Sequence, residues 1–450
     1  MALARHDVRV TLLESRRQLG GRAGSFVRRD SQGHEIETID YCQHVGMGCC
    51  TNLKRLINWL EQDTLWDIQK QLHFFGPTGD YRQLSALPLL PAPLHLTGWL
   101  WRWPGLRTLD RMSIARGMLS IKRLHLGELE ERQLALPWLV SHGQTPQAIE
   151  RFWRTIVVSA LGEELSRVSL AAMGKVLQDG FLRHREAFHL LVPQRPLGEL
   201  FGSAAGEQLR KVGVAVELET PVLSIDDSGQ QSIRVTTSNR EYQAEALVLA
   251  TAWHQLAKVK IVTPHSDLLE RLERAQLLQS STISGIHTWW DRAWLPTPHA
   301  AVVGRLCQWV FPKPMLVGAH NSNMPEHYYQ IVVSASQSLE LGIRATLESS
   351  AATRESWGHT IHDDLAKVFP RVREAKLLRF KVVSDPKAVF SVQPDVLQYR
   401  APAQGSARVM LAGDWTRTGW PATMEGAVLS GFRAAELLLN VPGRCVAQPL

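Results

Sequence analysis

Leu411-Ala-Gly-Asp414-Trp-Thr-Arg-Thr-Gly419-Trp-Pro-Ala-Thr-Met424-Glu-Gly426-Ala427 is the stretch on which the fold turns. With Val409 and Met410 before it, its start reads as a short buried strand that stops at Gly413. Asp414 follows, an acid placed to hold a polyol hydroxyl. A glycine-rich turn then delivers a long helix, expected over Met424–Leu439. A helix start carries partial positive charge and free N–H groups, so it stabilises negative charge held against it. Taken alone, the same order of elements is also that of an ordinary tight connection between a strand and a helix.

At the other end of the chain Val8-Arg-Val-Thr-Leu-Leu-Glu14 alternates and is rich in β-branched residues, the pattern of a strand ending in an acid. In a dinucleotide-binding βαβ unit, an acid at the tip of the second strand bonds the ribose hydroxyls, about 20 residues after a glycine-rich phosphate loop. A lone strand-end Glu is usually just a solvated terminus. Here Gly20-Gly21-Arg22 follows closely, offering near backbone approach and a guanidinium that pairs with phosphate. Between these ends, Asn52–Glu61 has helical spacing, and Phe74–Arg195 reads as mostly helical with proline breaks. Val214–Ile225, Ser232–Thr237 and Ala246–Ala250 read as strands of a meander, and Ser281–Trp290, Ala300–Phe311 and Tyr328–Ser334 as a second, antiparallel sheet.

The 450 residues suit two or three domains. Strands at both ends and in the middle imply an interleaved α/β chain in which a Rossmann-like cofactor domain comes in three pieces, 1–65, 201–262 and 396–450. A substrate domain would fill 66–200, mostly helical, and 263–395, sheet plus helices. Hydrophobic residues at 44% and charged residues at 21% exclude a disordered chain. Lys and Arg exceed Asp and Glu by 50 to 43, which suits an anionic cofactor or membrane surface; no long basic run or zinc-finger spacing points to nucleic acid. Cys42, Cys49, Cys50, Cys307 and Cys445 make neither a disulfide framework nor a metal-binding CxxC pair, so a reducing compartment and no metal are expected. No apolar run is long enough to span a bilayer. Among 15 tryptophans, Trp99, Trp101 and Trp103 crowd beside Arg102, the composition of a patch for membrane contact and substrate entry. Packing inside a helix pair is the other reading of that cluster.

The two glycine-bearing segments together resemble those of the flavin-containing amine oxidase and phytoene desaturase superfamily. Asp40-x-x-Gln43-His44, Phe152-Trp153 before Ala160-Leu161, Trp289-Trp-Asp-Arg292 and the full wording from Gly413 to Gly426 narrow the resemblance to its squalene-associated FAD-dependent desaturases, the hydroxysqualene dehydroxylase group. That resemblance implies FAD as cofactor, with Glu14 at the adenosine ribose, Gly21 and Arg22 beside the pyrophosphate and ribityl chain, and Val222 at adenine. It places Gly413 and Asp414 at the ribityl–pyrophosphate region and Met424, Glu425, Gly426 and Ala427 over the flavin ring.

The implied reaction is reductive removal of the hydroxyl of hydroxysqualene, a polyprenyl lipid of hopanoid synthesis, giving squalene. Asp40 and His44 are the candidate acids for the departing hydroxyl, because their loop follows the first cofactor segment. The implied setting is cytoplasmic and peripheral to a membrane, with other squalene-pathway enzymes as partners. A carotenoid-type desaturase, a flavin amine oxidase and a truncated, non-catalytic remnant are the alternatives. Two departures from the family pattern matter. Counting back from Glu14 places the phosphate loop before Met1, so the first strand and that loop are expected to be missing and the true start to lie upstream. Tyr41-Cys42 also stands where the family has Asn-Gly, adding bulk to the loop that approaches the flavin.

Overall fold

The computed structural model describes residues 1–29, 32, 35–229, 231–313, 327–337 and 351–450. After a single 3-10 turn at Ala4–His6, the opening strand forms over Thr11–Leu13. Its partner is far along the chain: it pairs in parallel with Ala215–Glu217. Leu247–Leu249 likewise pairs in parallel with Val409–Leu411. Parallel pairing requires long crossovers, and here the crossovers are whole segments of the molecule. The front of the chain is thereby joined to its middle, and its middle to its end. Glu14 and Gly413–Asp414 each emerge just past the carboxyl end of one of these strands, the edge at which open α/β sheets bind their ligands.

The expected meander is only partly present. Val222–Asp226, Ile233–Thr237 and Glu241–Ala244 do run antiparallel in sequence order, with Lys260–Val262 added in parallel. Ala215–Glu217 and Leu247–Leu249 leave that sheet for their distant parallel partners. Local alternation identifies such strands without saying what they pair with.

A second sheet has seven strands in the spatial order Leu377–Phe390, Ser280–Trp290, His327–Ser334, Trp309–Lys313, Ala300–Val302, Leu72–Phe75 and Tyr81–Leu84. Its pairs are antiparallel except Ala300–Val302 against Leu72–Phe75. Leu72–Phe75, Tyr81–Leu84 and Leu190–Pro193 add strands at the margins of a part of the chain expected to be, and found, mostly helical. Segments of four residues are too short for periodicity to tell a strand from a helix turn.

Three helices matter below: α1 (Thr51–Trp59), α2 (Thr97–Arg102) and α3 (Thr108–Arg123). Helix α3 begins where the Asp110 carboxylate accepts the Arg107 N–H at 2.8 Å, a cap that satisfies one orphan donor of the first turn. Trp99 and Trp103 overturn the expected surface patch. They are 5% and 1% exposed, and their indole N–H groups donate to Ser85 O and Arg151 O. Their rings lie against Phe181 and Phe188, and against Phe74 and Phe152. Both are core residues with satisfied polar atoms; Trp101 alone of the three reaches solvent, at 64%.

Candidate functional site

Arg22 is where the pieces converge. Gly20, at φ +106°, permits the turn before it, since a Cβ there would lie 2.9 Å from Ala23 O. The Arg22 guanidinium then donates to Asp414 Oδ2 at 2.5 Å and to Ala388 O at 2.6 Å, and covers the Trp253 ring at 4.9 Å. One side chain thus ties the front loop to the Asp414 motif, to the long outer strand of the large sheet and to the segment after Leu249. Gly21 has φ +58°, and a Cβ on it would meet no atom within 4 Å, so the backbone here borders open space beside a phosphate-pairing cation.

Glu14 continues the first strand with its N–H on Glu217 O at 2.9 Å, and its carbonyl accepts the Thr220 N–H at 2.8 Å. Val222, two residues on, is therefore brought beside the strand tip. One Glu14 carboxylate oxygen accepts the Arg16 N–H at 2.8 Å and the Ser15 hydroxyl at 3.2 Å. The other oxygen has no partner among the described residues, as suits an acid meant for ribose hydroxyls.

In the C-terminal motif Gly413 adopts φ +134° and packs where a Cβ would strike the Trp415 ring at 2.5 Å. Its N–H donates to Ser430 Oγ at 2.7 Å, fastening the turn to the last helix. Thr423 caps that helix, accepting the Gly426 N–H at 3.1 Å on its hydroxyl and the Ala427 N–H at 3.0 Å on its carbonyl. The N–H groups of Met424 and Glu425 keep no acceptor among the described residues, leaving two donors at a positive helix end. The Glu425 side chain points elsewhere: its carboxylate accepts Asn52 N at 3.1 Å, Asn52 Nδ2 at 2.7 Å and Leu53 N at 2.8 Å. It is a cap for α1, so only the backbone of Glu425 is left to face a ligand.

Arg400 was not legible in the sequence. Buried, it donates to the carbonyls of Asp414 at 3.1 Å, Thr416 at 2.5 Å and Trp420 at 2.7 Å, and so shapes the whole motif loop. Burial lowers its pKa to about 10, with Asp414 and Glu131 opposing. No motif surrounds it, only an Arg in the otherwise ordinary Gln398-Tyr-Arg-Ala-Pro402.

The Asp40–His44 loop is anchored at its start. Asp40, buried, accepts Ser25 Oγ at 2.6 Å and Leu197 N at 2.8 Å on the same oxygen. That is the bonding of a tether. Tyr41 and Cys42 are accommodated because strand residue 285 is glycine; a Cβ there would be 2.9 Å from Tyr41 O and 3.3 Å from Cys42 Cα. Burial pushes the Cys42 thiol up to about 12, which keeps it inert. His44 is half-buried, and its Nδ1 lies 3.0 Å from Cys42 O. A carbonyl can only accept, so neutral His44 carries its proton on Nδ1 and leaves Nε2 open. Burial lowers its pKa most strongly; the Cys42 carbonyl and Asp40 oppose this, while Arg22 and Lys313 add to it. Lys313, a second group with no sequence signal, ends a sheet strand, donates to Pro193 O at 3.2 Å and is lowered by burial against the pull of Asp40.

The family model for flavin containing amine oxidoreductases matches residues 2–439. The chain belongs to that family. Among its relatives is the 15-cis-phytoene desaturase of an Oncidium hybrid cultivar, 25% identical over 95% of this chain and 73% of that protein. The hydroxysqualene dehydroxylase of Sinorhizobium fredii is 25% identical over 64% of this chain and 62% of its own length. Cyclohexylamine oxidase from Brevibacterium oxydans has the same fold, with TM-score 0.62 and 16% identity over 98% of this chain and 95% of that one.

As a member of the amine oxidoreductase family the chain is an FAD-dependent oxidoreductase. The residues present fit such a group: open space at Gly21, an unpaired Glu14 oxygen, and two free N–H donors at the last helix.

Proposed function

We propose that this protein removes the hydroxyl of hydroxysqualene to give squalene. The observation that carries this reading is a half-buried His44 with its Nε2 open on the loop that buried Asp40 anchors, near the cation Lys313. A pure hydrocarbon would give the open His44 Nε2 no partner, and burying a polar atom without one is costly. A lipid hydroxyl supplies that partner. The comparison with the S. fredii dehydroxylase supports the same choice of substrate.

Glu14 and Val222 would hold the adenosine end of FAD; Gly21, Arg22, Gly413 and Asp414 the pyrophosphate and ribityl chain; and the backbone of Met424–Ala427 the ring. Reduced FAD held there would supply the hydride that replaces the allylic hydroxyl, which would leave as water. His44 offers the proton from Nε2, Asp40 fixes the loop that carries it, and Lys313 keeps a positive charge next to the leaving oxygen. Because burial holds the His44 pKa below its ordinary 6.5, its protonated form is favoured only in the acid range, and turnover should decline as pH rises through that range toward 6.5. Such a substrate resides in a bilayer, so we place the enzyme at the cytoplasmic face of a membrane, near other squalene-pathway enzymes. Among the described residues no helix is long and apolar enough to cross one.

A carotenoid-type desaturase is the second reading, favoured by the phytoene desaturases that align with 95% of the chain. Anaerobic incubation of dithionite-reduced, FAD-loaded protein with hydroxysqualene, followed by lipid chromatography, decides between them. Squalene formed by the wild type and lost in His44→Gln supports the proposal. Desaturation of phytoene by the oxidised protein, with no squalene from the reduced one, overturns it.

A further inference from the structure

Nearly all of the net charge sits in one short part of the chain. Between Tyr81 and Gly127 there are seven Lys and Arg against a single acid, which accounts for six of the seven net positive charges of the protein. That acid, Asp110, is turned inward, 4% exposed, and bonded to Arg107 N and Thr145 Oγ1. The outer surface of this region therefore carries no carboxylate of its own to balance its cations.

The same surface is apolar where a solvated one would be polar. On α3 the residues Leu109, Met112, Arg116, Leu119 and Arg123 recur at helical spacing along one face, and all are exposed. The opposite face holds Ile114, Gly117 and Ile121, all buried. Leu109 is 73% exposed, so this is an apolar residue held in water and not the edge of the core. Trp101 on α2 joins the face, with the Arg111 guanidinium 5.8 Å from its ring. The connection leading into α2 adds Leu89, 97% exposed, and Leu94, at 51%. This connection is held in place, because Arg185 donates to Leu90 O and, at 3.2 Å, to Leu87 O.

We propose that this face docks the protein on an anionic lipid bilayer. Leu, Met and Trp side chains would enter the headgroup layer while Arg102, Arg116, Lys122 and Arg123 meet lipid phosphates. The charge decides the occupant: a cationic rim with no exposed carboxylate between Tyr81 and Gly127, around scattered apolar side chains, complements a continuous negative surface. The inference rests on the lipid-substrate reading only for its purpose. Its geometry is independent of which lipid is consumed.

Co-sedimentation with phosphatidylcholine vesicles, with and without phosphatidylglycerol, tests it at low and high salt. The wild-type chain should bind the anionic vesicles preferentially and release them as salt rises. Arg116→Ala with Arg123→Ala should weaken that binding about 30-fold, from roughly 1 kcal/mol per cation at the surface. Leu109→Ser with Met112→Ser, and Trp101→Ser separately, should weaken it without changing the salt dependence. All five sites are exposed, and conversion of detergent-dispersed hydroxysqualene should be unaffected in these variants. Absence of a preference for anionic vesicles, or equal binding by wild type and variants, overturns the proposal. Vesicle binding without squalene formation would instead count against the substrate reading and leave the docking face standing.

Discussion

Glu425 is where a motif-based and a structural expectation separate most cleanly. By its motif it belongs to the flavin ring; in the structure its carboxylate is the cap of α1, 373 residues earlier. The N-cap position of α1, Cys50, makes no side-chain cap of its own, so the first-turn donors of that helix depend on this distant acid. Asn52 and Leu53 are buried, 4% and 0% exposed, and water does not replace a lost acceptor there. Burial pushes the Glu425 pKa up although Asn52 and Leu53 oppose it, so desolvation of the carboxylate offsets part of its gain. Truncation leaves at least two buried N–H groups unpaired, each costing about 1–3 kcal/mol. Glu425→Ala should therefore lose about 3 kcal/mol of stability, in line with removing one member of a buried polar set. Glu425→Asp, which keeps the charge on a shorter arm, should lose less. Denaturant midpoints for the three proteins measure the effect, and a double-mutant cycle with Asn52→Ala should show coupling of about 0.5–3 kcal/mol. A loss below about 0.5 kcal/mol, within the range of ordinary surface changes, would refute the capping argument.

Two further outcomes are expected. Trp103→Ala removes a ring packed 4.4 Å from Phe74 and 4.7 Å from Phe152 and should cost about 3–5 kcal/mol, while Trp101→Ala should stay within about 0.5 kcal/mol. Thermal or denaturant unfolding of the pair checks this. His287, 0% exposed, has its pKa lowered to about 4 by burial, so the fold holds it neutral. Its contribution is intact above the unfolded value near 6.5 and is lost as pH falls from there to about 4, up to about 3 kcal/mol in all. His287→Asn should flatten the stability–pH curve across that window; parallel curves would show that His287 does not titrate between the two states.

The bounds of the last helix, Met424–Leu439, are those expected, and the strand before it, expected to run to Gly413, forms over Val409–Leu411. These features are local, set by a cap, a period and a backbone angle that only glycine takes easily. The strand over Thr11–Leu13, the loop after Glu14 and the helix at Thr51 were legible for the same reason. The interleaving of the chain was also visible, as strands at both ends and in the middle. What each strand pairs with was not, because parallel partners lie about 160 to 200 residues apart and alternation carries no address. Side-chain destinations were likewise decided only in three dimensions. Trp99 and Trp103 turn inward because aromatic rings from four other elements surround them, Glu425 turns to α1, and Asp40 is taken up by Ser25 and Leu197. Arg400 and Lys313 enter the site without any motif, since a buried cation is recognised by the carbonyls and carboxylates that distant segments bring to it.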